Sequence, residues 1–550
     1  MGYLVHILIA LAAQGAAEVG LESGARLALV VPLLAFVPPV LGALARRAAL
    51  RGRFRLAGLV TRALALSPAL LHLAALALCG WRLSVSAWLG LDVSLFEWPT
   101  LGLLLVLAPF ALYTLAAIDA QARLNAERAP VRRSLRRFQA RMFLSGLLPV
   151  AGYICGASAL GLFPELRLNV EEVALWNALF SLAFFGALAL CLPWILRNTW
   201  DTAPIEPGGA RMLLERVAEL AGFRCQDLYV WRTGNLMANA AVIGVGPWSR
   251  IVLFSDSLLA QLAPRELAAV FAHEIGHARR HHVLIFLCFA AGFFMAADLV
   301  AGAFDPGGEL VGLSVMGAAL AFWFVGFGWL SRRFELDADL FSLGLIGDPM
   351  ALTSALEAVG GHLRDVASWR HFSVAERAVF LRRAASERGF ARAFRRRLSA
   401  FVWLGVALFA VAAVLQARDV LAGFASERVV VELRLGRYAA AAERLAGVAA
   451  ADEDLARIVA RARDARLGDF EGPAPAAREC RARARHEIAA DRAQEAWDWL
   501  RLARLAGERE AEVLAEGLEL ADEGEVDAAR ERFESAGARE YLDWLARRGR

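Results

Sequence analysis

Lysine is missing from this 550-residue chain, so its positive charge is carried entirely by arginine. We read that as a compositional bias of the genome and attach no function to it. A strong charge of one sign is missing too. The formal net charge is +4 at pH 7, spread over many loops, which argues for no nucleic-acid partner. Cysteine is sparse: Cys79, Cys155, Cys191, Cys225, Cys288 and Cys480 form no C-x-x-C pair, and most of them fall in apolar segments. No disulfide framework or cysteine metal site is implied, and each reads as a small buried apolar residue. Polar surface is scarce as well. With 58% hydrophobic residues and a mean hydropathy of +0.46, the chain is too apolar for an ordinary soluble protein. Its length exceeds one domain, and a multispan membrane protein is the default.

Long apolar runs mark eight strong spans: Leu27 to Ala45, Leu56 to Cys79, Leu101 to Ile118, Met142 to Phe163, Val173 to Leu196, Val283 to Phe304, Leu310 to Leu330 and Phe401 to Leu415. An earlier segment, Tyr3 to Ala17, is short for a span and no basic residue precedes it, so spanning, interfacial and signal-like readings all stay open. Orientation follows from arginine, which collects in cytoplasmic loops. Arg46 to Arg55, Arg132 to Arg141, and Arg279 with Arg280 mark inside loops, whereas Asp92, Glu97, Glu165, Glu171, Glu172 and Asp305 mark outside ones. His72 and Asp298 fall within spans, where ionisable groups usually face a polar interior.

The stretch FAHEIGHARRHH, Phe271 to His282, contains H-E-x-x-H as His273, Glu274 and His277. Pro264 suits a first helical turn and apolar Leu267, Val270 and Phe271 follow, so a helix is expected here, continuing directly into the span after His282. Residues four apart share a helix face about 6 Å apart, so both imidazoles can reach one metal ion. Glu274 then stands beside the metal's open position as a general base.

A catalytic site of this type needs a third protein ligand. His281 continues the four-residue series, but it lies about 12 Å along the axis from His273, against metal bonds of roughly 2 Å. The better candidate is Glu335 in SRRFELDADL, with Asp339 on the same helical face to accept a hydrogen bond from a ligand histidine. His281 and His282 read as a polar collar at a membrane boundary. In ANAAVIGV, the small residues Asn239, Ala240 and Ala241 open a short strand whose backbone could pair with an extended peptide.

The segments ELAAVFAHEIGH, SRRFELDAD and ANAAVIGV, in their relative order, resemble the integral-membrane zinc proteases that include HtpX and the type 1 CAAX prenyl proteases. The resemblance covers roughly residues 201 to 383. It implies one Zn2+ per chain on His273, His277 and Glu335, Glu274 as base, Asp339 behind a ligand, and the Asn239 strand at a substrate cleft. WRHFSVAER supplies His371 and Arg377, which in the prenyl protease branch face the scissile carbonyl; Phe372 stands where a proline is usual. Donors so placed stabilise the oxyanion.

Beyond residue 417 the chain is rich in alanine, arginine and glutamate, with a break at Gly468 to Pro475. Gly524, Val526, Ala529 and Phe533 echo Asp491, Ala493, Ala496 and Leu500 near the tetratricopeptide period, and Gly436, Tyr438, Ala441 and Leu445 repeat the spacing out of phase. Helical-hairpin repeats of this kind usually dock a protein or peptide partner.

The expected architecture is mainly α, a polytopic helical membrane protein with a cytosolic α+β zincin-like domain and a C-terminal helical, tetratricopeptide-like domain. Its parts are N-terminal spans (1–200), a metalloprotease region (201–398) divided into soluble 201–282, a membrane hairpin 283–330 and soluble 331–398, a last span (399–416) and the helical domain (417–550). The expected function is zinc-dependent endopeptidase action on membrane or misfolded polypeptides, in contact with membrane lipid, at the cytosolic side of a bacterial plasma (inner) membrane. Alternatives are a membrane scaffold with a structural zinc centre and a partner-docking domain, and a prenyl-protein processing protease.

Overall fold

The structure is a computed structural model that describes residues 6–7, 9–11, 27–90, 93, 98–126, 129–303, 309–360, 369–448 and 452–548, with the side chains of 298, 300–303 and 309–316 outside that description. The segment Tyr3 to Ala17 and the side chain of Asp298 therefore lie largely or wholly outside the described residues. In chain order the first helices are α1 (Val30–Leu50), α2 (Phe54–Ala77), α3 (Trp81–Leu89), α4 (Gly102–Asn125), α5 (Ala129–Leu160), α6 (Pro164–Glu172) and α7 (Ala174–Thr199). A small α+β region follows: β1 (Thr202–Pro204), α8 (Gly209–Leu220), β2 (Asp227–Trp231), β3 (Ala240–Ile243), β4 (Ile251–Ser255), α9 (Asp256–Gln261) and α10 (Pro264–Arg279). Then come α11 (His282–Ala303), α12 (Glu309–Ile346), α13 (Pro349–Gly360), α14 (Val374–Ser386) and α15 (Phe390–Arg434).

Among the described residues, six helices are long and apolar enough to cross a membrane: α1 with its leading turn, α2, α4, α5, α7 and α15. The broken pair α10 and α11 raises the number to seven if it is one span. The chain is thus an integral membrane protein. The expected run at Leu310 to Leu330 lies within α12. His72 is fully buried in α2, edge-on to Phe110 with 5.9 Å between ring centroids.

Compactness divides the chain into two units, 1–158 with 184–416, and 159–183 with 417–550. The first holds the N-terminal spans and the region around the motif. The second adds α6 and its flanks to the C-terminal helices.

In the first unit the four strands form one sheet in the order β1-β2-β4-β3, with β2 parallel to β4 and both outer pairs antiparallel. Alternation of side chains gives the sheet two faces. Leu228, Ala240, Val252 and Phe254 pack beneath Leu267, Phe271 and Ile275 of α10, while Tyr229, Ile251 and Leu253 face the other way with Trp200. Pro264 opens α10, and Glu266 accepts a hydrogen bond from the Ala263 amide at 2.9 Å. The apolar stripe of α10 thereby lies on the sheet and leaves His273 and His277 on a different face.

In the second unit, α15 ends and α16 (Tyr438–Leu445), α17 (Glu453–Asp464), α18 (Pro473–Ala489), α19 (Ala493–Leu505), α20 (Arg509–Asp522), α21 (Val526–Ser535) and α22 (Arg539–Arg548) follow. The repeat read from the sequence has a structural meaning. Gly436, Asp491 and Gly524 all take left-handed backbone (φ 75°, 61° and 87°) before a helix whose Ala441, Ala496 or Ala529 is fully buried. The segment 159–183 belongs here because α6 docks on the end of α15. Arg434 pairs with Glu172, Arg437 with Glu165 at 3.2 Å, and Glu427 accepts from the Ala174 amide at 3.0 Å.

Candidate metal centre

Helix α10 meets α12 at a glycine. A Cβ on Gly276 would stand 3.0 Å from Cβ of Phe341 and 3.1 Å from Cα of Ala338, so any side chain here would push its neighbours back by a few tenths of an ångström. Ser342 adds a hydrogen bond from its hydroxyl to the Ala269 carbonyl at 2.7 Å. That contact seats one turn of α12 beside the motif and delivers Glu335 and Asp339 to it.

Nε2 of His273 and Nε2 of His277 lie 3.2 Å apart, and each is 3.6 Å from a carboxylate oxygen of Glu335. For a tetrahedral ion with bonds of about 2.0–2.1 Å, neighbouring donors are separated by roughly 3.4 Å. The three side chains form such a triangle, and among the described residues they are the one group of three or more His, Cys, Asp or Glu able to hold a metal. Two imidazole nitrogens and a carboxylate oxygen, with no fourth side-chain donor grouped with them among the described residues, are also the chemistry of an open site. The residues fit a divalent cation.

Both imidazoles are backed by acceptors. Nδ1 of His273 is 2.9 Å from Asp339, although the N–H direction is bent away from a straight hydrogen bond. Nδ1 of His277 is 3.0 Å from Nδ1 of His282, whose Nε2 lies 3.4 Å from Asp337. One proton arrangement satisfies that chain: His277 donates from Nδ1 to His282, and His282 donates from Nε2 to Asp337, leaving Nε2 of His277 as a lone-pair donor.

This corrects two expectations. The helix does not run straight into the next span, because His281 takes left-handed backbone (φ 56°) and α10 and α11 are bent by 44°. His282 is therefore no collar residue. It is buried, stacked on Phe334 at 4.1 Å, and folded back on the motif, while His281 is exposed.

Arg377 of α14 is buried against Asp339, with Nε 2.8 Å and a terminal nitrogen 2.5 Å from the two carboxylate oxygens, and its other nitrogen is 3.6 Å from Glu335. Its donors are turned toward the two carboxylates. Ser373 caps α14 and shares a capping box with Glu376. His371, about half exposed, precedes that helix with Nδ1 3.4 Å from Glu335. Trp369 seats the segment: its indole stacks on Phe324 at 4.2 Å, donates to the Phe324 carbonyl at 2.8 Å, and fills the space over Gly328.

Charge follows from these contacts. Burial opposes a charged His273, but the adjacent carboxylates of Asp339 and Glu335 prevail and raise its pKa to about 10. Burial and the charge on His273 lower His277 to about 3. Burial is also the main reason Glu274 rises to about 7, helped by the charge of Glu335. Glu335, despite burial, is held well below the usual carboxylate range by His273 and His371, and Asp339 is held low by Arg377. The carboxylates thus build a place for positive charge that a proton or a metal cation can fill.

Strand β3 borders this helix and is an outer strand of the sheet. The Asn239 carbonyl accepts from the Ser255 amide at 2.9 Å, so in the antiparallel ladder Asn239, Ala241 and Ile243 point their backbone groups at β4. Ala240 and Val242 turn theirs to the open edge. Of the expected strand residues, Ala240 presents backbone outward, Ala241 does not, and Val242 joins the outward set.

Membrane-crossing helices and an H-E-x-x-H helix that meets a glutamate from a second helix define a membrane metallopeptidase. The family model Peptidase family M48 matches residues 207–385. A Protease HtpX homolog of Pyrococcus furiosus is 30% identical over 231 residues, covering 39% of this chain and 74% of that protein. One from Moorella thermoacetica is 30% identical over 178 residues, covering 30% of this chain and 58% of that protein, so the match spans little more than half of the relative's length. The crystal structure of S. mikatae Ste24p aligns with a TM-score of 0.38 and 15% identity over 69% of this chain and 99% of that one. The chain belongs to peptidase family M48.

Proposed function

We propose that this protein is a zinc-dependent endopeptidase that cuts extended segments of membrane or unfolded polypeptides at the cytosolic face of the bilayer. The observation that carries the reading is the donor triangle of His273, His277 and Glu335 with Glu274 beside it and an open strand edge on the same helix. His273, His277 and Glu335 would hold zinc, which would supply Lewis acidity when bound. Glu274, the neighbour of His273 on the same helix, takes the proton of the attacking water and returns it to the leaving amine. Main-chain groups of Ala240 and Val242 hold the substrate extended with little demand on its sequence. His371, at the exposed side, is placed to donate to the developing oxyanion. Arg377 acts through others, fixing Asp339 and hence the ring of His273. The inside loops rich in arginine support the cytosolic placement.

The test is metal analysis and proteolysis of the detergent-purified chain with Glu274→Gln and Glu335→Ala alongside, using an unfolded test protein. Glu274→Gln is expected to keep zinc and lose cleavage, and Glu335→Ala to lose zinc. Full cleavage by Glu274→Gln, or unchanged zinc in Glu335→Ala, would overturn the reading.

A further inference from the structure

Arginines 133, 137 and 141 lie one helical turn apart at the start of α5, so their side chains leave one face. They line a cavity of ≈ 350 Å³ whose opposite wall is Trp200, Trp231 and Arg232. The wall is firmly built. The two indoles stack at 4.2 Å with 15° between planes, Phe138 packs on Trp231, and Trp200 donates to the Ser145 hydroxyl at 3.1 Å.

The loop bearing Arg232 is pinned as well. Asp256 accepts hydrogen bonds from the Thr233 hydroxyl at 2.5 Å and the Gly234 amide at 2.8 Å. Gly234, with φ +71°, presses on the Ser134 hydroxyl where a Cβ would be only 2.6 Å away.

Four guanidinium groups thus face one space with a single carboxylate, Asp201, and that one is committed to Arg141 at 2.7 Å. Among the described residues Arg133, Arg137 and Arg232 form no ion pair. Three like charges held together by a rigid aromatic wall are a receptor for an anion, and guanidinium forks match phosphate oxygens in pairs. Position favours a lipid source. Arg141 borders the apolar run that begins at Met142, and Arg137 and Arg133 step away from it by about 6 Å each, through the level that tryptophans and headgroups occupy.

We propose that this cavity binds the phosphate of an anionic phospholipid headgroup, free phosphate being the other source of the same chemistry. It adjoins the β1–β2 side of the sheet, across from β3, so occupancy would tie the sheet to the bilayer and leave the β3 edge open.

Native mass spectrometry of the full chain in detergent, offered phosphatidylglycerol, phosphatidylcholine or inorganic phosphate, tests it. Phosphatidylglycerol is expected to bind more tightly than phosphatidylcholine, and the pair Arg133→Gln with Arg137→Gln to weaken it roughly thirtyfold. Arg53→Gln, an exposed arginine of another inside loop, controls for general attraction to anionic lipid and is expected to change nothing. Competition by inorganic phosphate alone would assign the cavity to the free ion, and its absence to the lipid. Equal phosphatidylglycerol binding by the double variant and the Arg53 control would overturn the proposal, as would equal binding of the two lipids without phosphate competition. Circular dichroism of the double variant verifies that it is folded.

Discussion

Nδ1 of His282 lies 3.0 Å from Nδ1 of His277, although the two residues stand on different helices joined by a 44° bend. A ring held this way keeps its other nitrogen aimed, and loss of such a partner commonly costs 10–100-fold in metal affinity. His282→Ala should therefore weaken metal binding by about that range, read by competition with a chromogenic chelator. His282→Phe, which keeps the stacking on Phe334, separates the hydrogen bond from the packing. Unchanged affinity in both variants would reduce the contact to packing.

Arg377 and Asp339 are both buried and joined by two hydrogen bonds. Removing one partner leaves the other charge stranded, which costs about 3–5 kcal/mol. Arg377→Gln should lower the melting temperature in detergent and destabilise the metal site, with Arg377→Lys intermediate because it cannot form the fork.

Proline on β3 separates the two sides of the strand. Val242→Pro removes an outward amide and should leave folding and zinc content intact while raising KM for an unfolded substrate. Ala241→Pro removes an amide that pairs with β4 and should destabilise the sheet. Equal KM in wild type and Val242→Pro would exclude strand pairing of the substrate.

Gly276→Ala places a methyl where Phe341 and Ala338 stand at 3.0–3.1 Å. Overpacking of this kind costs about 1–3 kcal/mol. Zinc retention should fall with side-chain size from glycine to alanine to leucine, measured after dialysis.

Asp256 titrates below its ordinary value of 3.8. Burial works against this, but hydrogen bonds from Thr233, Asn235, Ser257 and Gly234 outweigh it. A depressed carboxylate contributes its stability above the unfolded pKa and loses it as pH falls through the folded one, so the 233–235 loop should loosen as pH falls below 3.8. Hydrogen exchange at the Gly234 and Asn235 amides, corrected for intrinsic rate, reads this directly, and Asp256→Asn should remove the pH dependence.

Much of the site was legible because its determinants are local. A four-residue spacing puts His273 and His277 on one face whatever surrounds them. Glu335 and Asp339 share a helical face for the same reason. His282 and Asp337 were not legible, since their contact exists only after the chain turns at His281, and a histidine gives little sign of left-handed backbone. Gly276 carried a signal that a periodicity reading passes over: a glycine inside a helix opposite a small residue, Ala338, marks close packing. The arginines of α5 were visible only as a mark of orientation, because their cavity needs tryptophans from a distant stretch of sequence.

The close seat of Gly276 against Ala338 has a consequence for biosynthesis. Both imidazoles leave the ribosome well before the glutamate that completes their set, because α11 and the first turns of α12 lie between them in the chain. A nascent chain therefore carries no working blade. The donor set closes only once α12 has folded back onto α10.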